Sequence, residues 1–147
     1  MAIDKTVRLG SGVKIPFPKL VNLYGCTVGD NVFVGPFVEI QKNVVVGKNS
    51  RISSHGFICE GVSVGEDVFV GHGVMFINDL FDSPNIKKWK MKKTIVEDNV
   101  RIGSNATILP VRLGKNSVIG AGAVVTRNVP KDTTVAGNPA RVLKKAI

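Results

Sequence analysis

Residues 51–61 read RISSHGFICEG and hold one of the chain's two histidines, His55, with Cys59 and Glu60 close behind. The other histidine, His72, follows 17 positions later, and the pair Asn78 and Asp79 comes 23 and 24 positions after His55. Histidine titrates near neutrality and is the natural general base for proton abstraction. A carboxylate such as Glu60 can orient an imidazole or bind a polar ligand, and an amide beside a carboxylate can hold an amine or a hydroxyl. The competing reading is that His55 is only a turn residue that happens to be histidine.

Groups this far apart act together only if the chain returns on itself at a matching interval, and it does. From Val28 an aliphatic or aromatic residue recurs every six positions through Val34, Ile40, Val46, Ile52, Ile58, Val64, Val70 and Phe76. The ladder resumes at Val96, Ile102 and Ile108, then at Leu113, Ile119 and Val125, and is preceded by Leu9, Ile15 and Val21. A period of six fits neither a helix nor one long strand, but it fits a short strand plus a turn, repeated. Stacked coils then bury one continuous aliphatic column that no single strand could bury alone. The expectation is an all-β parallel β-helix of about six coils, forming a single domain over residues 1–147. An extruded loop over 77–94 and a C-terminal cap over 129–147, ending in a short tail or helix, complete it. Three slips of phase mark departures from the repeat: seven residues from Val21 to Val28, 20 from Phe76 to Val96, and five from Ile108 to Leu113.

Composition bounds the partners. The chain has 20 basic and 11 acidic residues, a net charge of +9, which suits a polyanionic partner. Phosphorylated small molecules fit better than nucleic acid, because one Tyr, one Trp and seven Phe show no interleaving with basic residues along the sequence. Cys26 and Cys59 make neither a disulfide framework nor a zinc cluster. No apolar run approaches the roughly 18 residues of a membrane helix, and the start MAIDKTVRLG lacks a signal-peptide core. A cytoplasmic protein that spans no membrane is expected.

The units VGDNVF, VGPFVE, VGKNSR, VGEDVF, IGSNAT and LGKNSV resemble the hexapeptide repeat of the left-handed parallel β-helix. The terminal segment, with IGAGAVV and AGNPAR, resembles that of the hexapeptide acyltransferases. That resemblance implies acetyl-CoA as cosubstrate, no required metal, and a groove for it along the last coils and the terminal loop. Carried onto this chain, it points to Ser104, Ala121, Ala123, Arg127, Gly137, Asn138, Pro139, Arg141 and Lys144. Small side chains there admit a pantetheine arm to the backbone, and Arg and Lys meet phosphates. The middle, from VNLYGCTVGDNVFVGPFVEIQ to VFVGHGVMFIND, is similar to one branch, the N-acetyltransferases of nucleotide-linked 3-amino sugars of bacterial surface glycans. The branch implies a UDP- or dTDP-sugar substrate, a homotrimer with active sites between subunits, His55 as base, and Glu60, His72, Asn78 and Asp79 as substrate-binding residues. The loop departs from the branch by being shorter and carrying KKWKMKK. An O-acetyltransferase of the same fold is the alternative. A carbonic-anhydrase-like metalloenzyme would need three histidine ligands where the chain has two, and a non-enzymatic scaffold would bind no acetyl-CoA.

Overall fold

In the computed structural model, which describes residues 2–143, the chain winds as a three-sided, left-handed parallel β-helix of about seven coils. One face stacks Asn22–Leu23, Glu39–Ile40, Phe57–Ile58, Met75–Phe76, Thr107–Ile108 and Val124–Val125. The second stacks Arg8–Leu9, Thr27–Val28, Val45–Val46, Val62–Val64, Thr94–Val96 and Arg112–Leu113. The third runs from Phe33–Val34 through Arg51–Ile52, Phe69–Val70, Arg101–Ile102 and Val118–Ile119 to Thr134–Ala136 and Arg141–Val142.

Most strands are two residues long, the first pointing out and the second in. Ile40 lies over Ile58, Val46 over Val64, and Ile52 over Val70, each at most 2% exposed. Burying such a side chain contributes about 1.5–3 kcal/mol, so the stack, and no single coil, holds the fold. Backbone hydrogen bonds tie each coil to the next, as from Ser53 N to Val70 O at 2.9 Å.

The ladder predicts six coils, and the difference lies at its ends. Ile3 bridges to Leu23 and opens a coil, while Val129, bridged to Leu113, and Val135, paired with Ile119, close another. Leu23, not Val21, carries the column at its coil, because Leu23 pairs with Ile40 and Val21 caps the short 3-10 helix Pro18–Leu20. The terminal cap returns as a strand, Arg141–Val142 running antiparallel to Thr134–Ala136, and the tail or helix expected beyond it lies outside the described residues.

The three corners differ. Between the second and third faces every step is six residues, and Asn31, Asn49, Asp67, Asn99, Asn116 and Asp132 take the left-handed turn position. Their amides form a ladder, with Asn99 Nδ2 donating to Asn116 Oδ1 and Asn116 Nδ2 to Asp132 Oδ1, both at 2.8 Å. Between the first and second faces the spacing varies from four residues (Val125 to Val129) to the 20 that include the extruded loop, which rejoins the prism at Thr94–Val96. The remaining corner, between the third and first faces, carries His55. Among the described residues no helix is long and apolar enough to cross a membrane.

Candidate active site

At the third-to-first corner two columns of side chains run down the prism edge. The backbone defines them: His55 N donates to Pro36 O, Gly73 N to Ser54 O, Asn105 N to His72 O, and Gly122 N to Ser104 O, at 2.8–3.1 Å. One column is therefore Pro36, Ser54, His72, Ser104 and Ala121. The other is Phe37, His55, Gly73, Asn105 and Gly122, all with left-handed backbone (φ 61–69°). Thus His55 and His72, expected near one edge, and Ser104 and Ala121, expected in the cosubstrate groove, share an edge over three coil steps.

His55 is exposed, and its ring stacks on Phe37 with centroids 4.9 Å apart. His72 is also exposed, and its Nδ1 is 2.8 Å from Ser54 Oγ. The serine pins one ring nitrogen and leaves Nε2 as the other functional atom. Two accessible imidazoles one coil apart can accept a proton and bind a polar group side by side.

Glu60, Asn78 and Asp79 lie elsewhere, at the opposite edge of the first face. Glu60 Oε1 accepts from Asn43 Nδ2 at 2.8 Å, Glu60 Oε2 is 3.9 Å from Lys42 Nζ, and Asn78 Nδ2 donates to Glu60 O at 2.9 Å. The glutamate therefore does not orient the His55 ring, a correction to one role considered above. The two edges instead flank one face. Asp79 stands at the root of the loop, accepting from Phe81 N at 2.7 Å. Between the edges, Glu39 accepts from Tyr24 OH at 2.9 Å and Gln41 Nε2 at 3.3 Å. Burial and the neighbouring carboxylate raise the Tyr24 phenol above its ordinary value. Tyr24 and Glu39 were not read from the sequence. The 18-residue return from Gln41 to Cys59 and Glu60 could have placed Glu39 on this face.

Cys59 is buried, and burial pushes its thiol up to about 11, so it packs as a neutral group and is no nucleophile at neutral pH. Ala123 is fully buried in the aliphatic column, with its N–H and C=O both bonded to backbone. Its side chain thus belongs to the core and not to a groove.

Toward the end of the prism, Arg101, Gly103, Gly120 and Ala121 line a shallow shelf of about 370 Å³ beside the His72 edge, with Phe69 at its margin. Arg101 was missed because its value comes only from stacking. At the base, Arg127 and Arg141 rim a depression of about 140 Å³ over Val129, Val135 and Ala140. Gly137 is left-handed and Asn138–Pro139 is cis, making the turn that returns Arg141 to the third face. Lys144 lies outside the described residues. These small and cationic residues fit a pantetheine arm and its phosphates. Among the described residues no group of three or more His, Cys, Asp or Glu side chains is arranged to hold a metal ion.

Comparison with known proteins bears on the family and the fold. Residues 25–59 match the family described as bacterial transferase hexapeptide (six repeats), and residues 93–127 the hexapeptide repeat of succinyl-transferase. The bifunctional protein GlmU of Carboxydothermus hydrogenoformans is 34% identical over 140 residues, covering 94% of this chain and 29% of that protein. The chain thus spans less than a third of the curated relatives it matches first. A galactoside acetyltransferase solved in complex with coenzyme A is 31% identical, with 80% of this chain and 64% of that one covered, at a TM-score of 0.73. AntD, an N-acyltransferase from Bacillus cereus solved as a variant with dTDP and coenzyme A, shares the fold at a TM-score of 0.83 and 21% identity, over 95% of this chain and 83% of its own.

Proposed function

Starting from a chain that belongs to the hexapeptide-repeat transferases, we propose that it transfers the acetyl group of acetyl-CoA to the amino group of a nucleotide-linked sugar. The acceptor is a UDP- or dTDP-linked sugar, with the amine at carbon 3, of the kind used in bacterial surface glycans. The observation that carries the reading is the shared edge on which His55 and His72 stand above Ser104 and Ala121. The likeness of the middle segment to the amino-sugar branch supports the acceptor. That AntD, which shares the fold, is solved in complex with both dTDP and coenzyme A is compatible with it.

In this reading the thioester lies along the small-residue shelf and the acceptor along the first face. An acceptor that arrives as an ammonium loses one proton to solvent, since a nitrogen without a lone pair cannot attack. The amine nitrogen then bonds to the acetyl carbon, His55 takes the second proton, the carbon–sulfur bond breaks, and that proton passes to the departing sulfur. His72, oriented by Ser54, binds the acceptor or the donor near the same edge. Glu60, Asn78 and Asp79 bind the acceptor from the far edge of the face. Arg127, Arg141 and Lys144 meet the donor's phosphates, and Asn138 and Pro139 shape the turn beside them.

The test is acetyl-CoA turnover against a panel of UDP- and dTDP-linked 3-amino and 4-amino sugars, with hydroxyl acceptors alongside. Acetylation of a 3-amino sugar at a rate far above the others is the expected result. Preference for a hydroxyl acceptor replaces the amine reading with O-acetylation. No turnover and no thermal shift with saturating acetyl-CoA removes the enzyme reading altogether.

A further inference from the structure

The left-handed corner positions of the prism obey a rule. Among the described residues outside the extruded loop, every one is Asn, Asp or Gly except two, Phe37 and His55. Asn and Gly tolerate this backbone, Asn because its short amide bonds locally and Gly because it lacks a Cβ. Histidine is tolerated less well, and a phenylalanine there is a genuine outlier. The two exceptions sit on successive coils of one corner and touch, their ring centroids 4.9 Å apart.

Packing does not explain Phe37. It is 56% exposed, so its ring is outside the column and only partly covered by its own chain. The same corner one coil beyond His55 is made by Gly73, and further on by Asn105 and Gly122, without any ring. A bulky side chain held in strained backbone, half in water and against the proposed base, marks a position retained for what it binds. Two residues along, on the adjoining face, stands the carboxylate of Glu39, in a chain otherwise rich in positive charge. A carboxylate and an aromatic face each attract an ammonium, and an aromatic ring also receives the apolar face of a pyranose.

We propose that Phe37 positions the acceptor: its exposed ring, stacked on His55, receives the protonated amine and ring face of the amino sugar and holds the nitrogen beside the imidazole. This rests on the acyl-transfer reading above. Because the attraction exists before bond formation, it acts on acceptor binding more than on the chemical step, and its signature is in KM rather than kcat.

Phe37→Asn and Phe37→Gly separate this role from a structural one, since both suit the left-handed corner. They are expected to melt at or above the wild-type temperature, to leave the KM for acetyl-CoA unchanged, and to raise the acceptor KM roughly three- to thirtyfold. Phe37→Trp, which keeps a ring face, is expected to retain the acceptor KM. A wild-type acceptor KM in Phe37→Asn overturns the proposal, as does a melting temperature several degrees lower, which would make the ring a packing element. If the wild-type protein acetylates no sugar on the panel, the acyl-transfer reading fails on its own. Phe37 is then decided by NMR titration with a UDP-linked 3-amino sugar. Shifts of the Phe37 and His55 ring signals in the wild type, with the His55 shift lost in Phe37→Asn, sustain the proposal, and unmoved ring signals at millimolar sugar overturn it.

Discussion

The structure gives His55 two features that bear on the proposed role. It is a turn residue, with φ 62° at a corner where a coil must take left-handed backbone, and it is held out into solvent on a rigid edge. The two roles separate by substitution. Asn occupies the equivalent corner position at Asn105, so His55→Asn keeps the turn and removes the proposed base. His55→Ala removes the base and also places a Cβ without local hydrogen bonding in left-handed backbone, at a cost of about 1–2 kcal/mol. Both variants are expected to lose about 100-fold in kcat, the low end of general-base effects. Thermal melting should place His55→Asn at or above wild type and His55→Ala below it. Unchanged kcat in His55→Asn, with chemistry shown to be rate-limiting, would reduce His55 to a binding group. Ala123 shows where reading residues one at a time fails. IGAGAVV offers several small side chains, and only the ladder tells them apart. Ala123 lies four positions after Ile119, as Val38 does after Val34, and all four are buried in the column.

At the scale of elements the fold was legible because its core is periodic, and a period of six survives any substitution among Val, Ile, Leu and Phe. What was not legible follows from the same fact. The first and last coils have few partners to stack on, so their column residues need not keep the spacing. Ile3 keeps the six-residue step to Leu9, but Leu23 follows Ile15 by eight residues and Val129 follows Val125 by only four. The shift from Val21 to Leu23 has a local cause, the 3-10 turn Pro18–Leu20, which takes up residues without advancing a coil. The slips at Leu23–Val28, Phe76–Val96 and Ile108–Leu113 fall on one corner, which a list of spacings could not reveal and a stack does at once. For the site, the 18-residue return predicted that His55 and His72 share an edge. It did not separate that edge from the Glu60 and Asn78 edge, because five residues of extended chain span at most roughly 17 Å and the repeat does not say which corner a polar residue serves.

The whole molecule adds what no corner holds alone. Its faces leave Val45, Phe69, Met75 and Ile95 from 40% to 48% exposed, and the extruded loop leaves Phe81 and Ile86 above 80%. Association of copies of the chain would cover such groups. Sedimentation is expected to give three times the 15.7 kDa chain mass, the homotrimer the resemblance implies; a monomer at micromolar concentration would contradict active sites shared between subunits. Charge gives the last expectation. Several carboxylates are already paired: Glu97 with Arg112 at 2.6 Å, Asp82 with Lys92 at 3.2 Å, and Glu60 and Glu66 with Lys42 and Lys48 at 3.9 Å. Much of the excess of +9 therefore stands on Arg51 and Arg101 of the third face, on Arg127 and Arg141 at the base, and on Lys87, Lys88 and Lys90 of the loop. A field of that sign raises the encounter rate with a polyphosphate donor and is screened by salt. Raising ionic strength from about 0.01 to about 0.15 M shortens the screening length from about 30 to about 8 Å. Over that range kcat/KM for acetyl-CoA should fall severalfold, while a thioester of pantetheine without phosphates should show almost no change. Arg141→Ala should flatten the dependence for acetyl-CoA and leave the neutral thioester alone. Equal salt dependence for the two donors would mean that salt acts on the fold or the assembly, and that the cationic end of the prism does not recruit the donor.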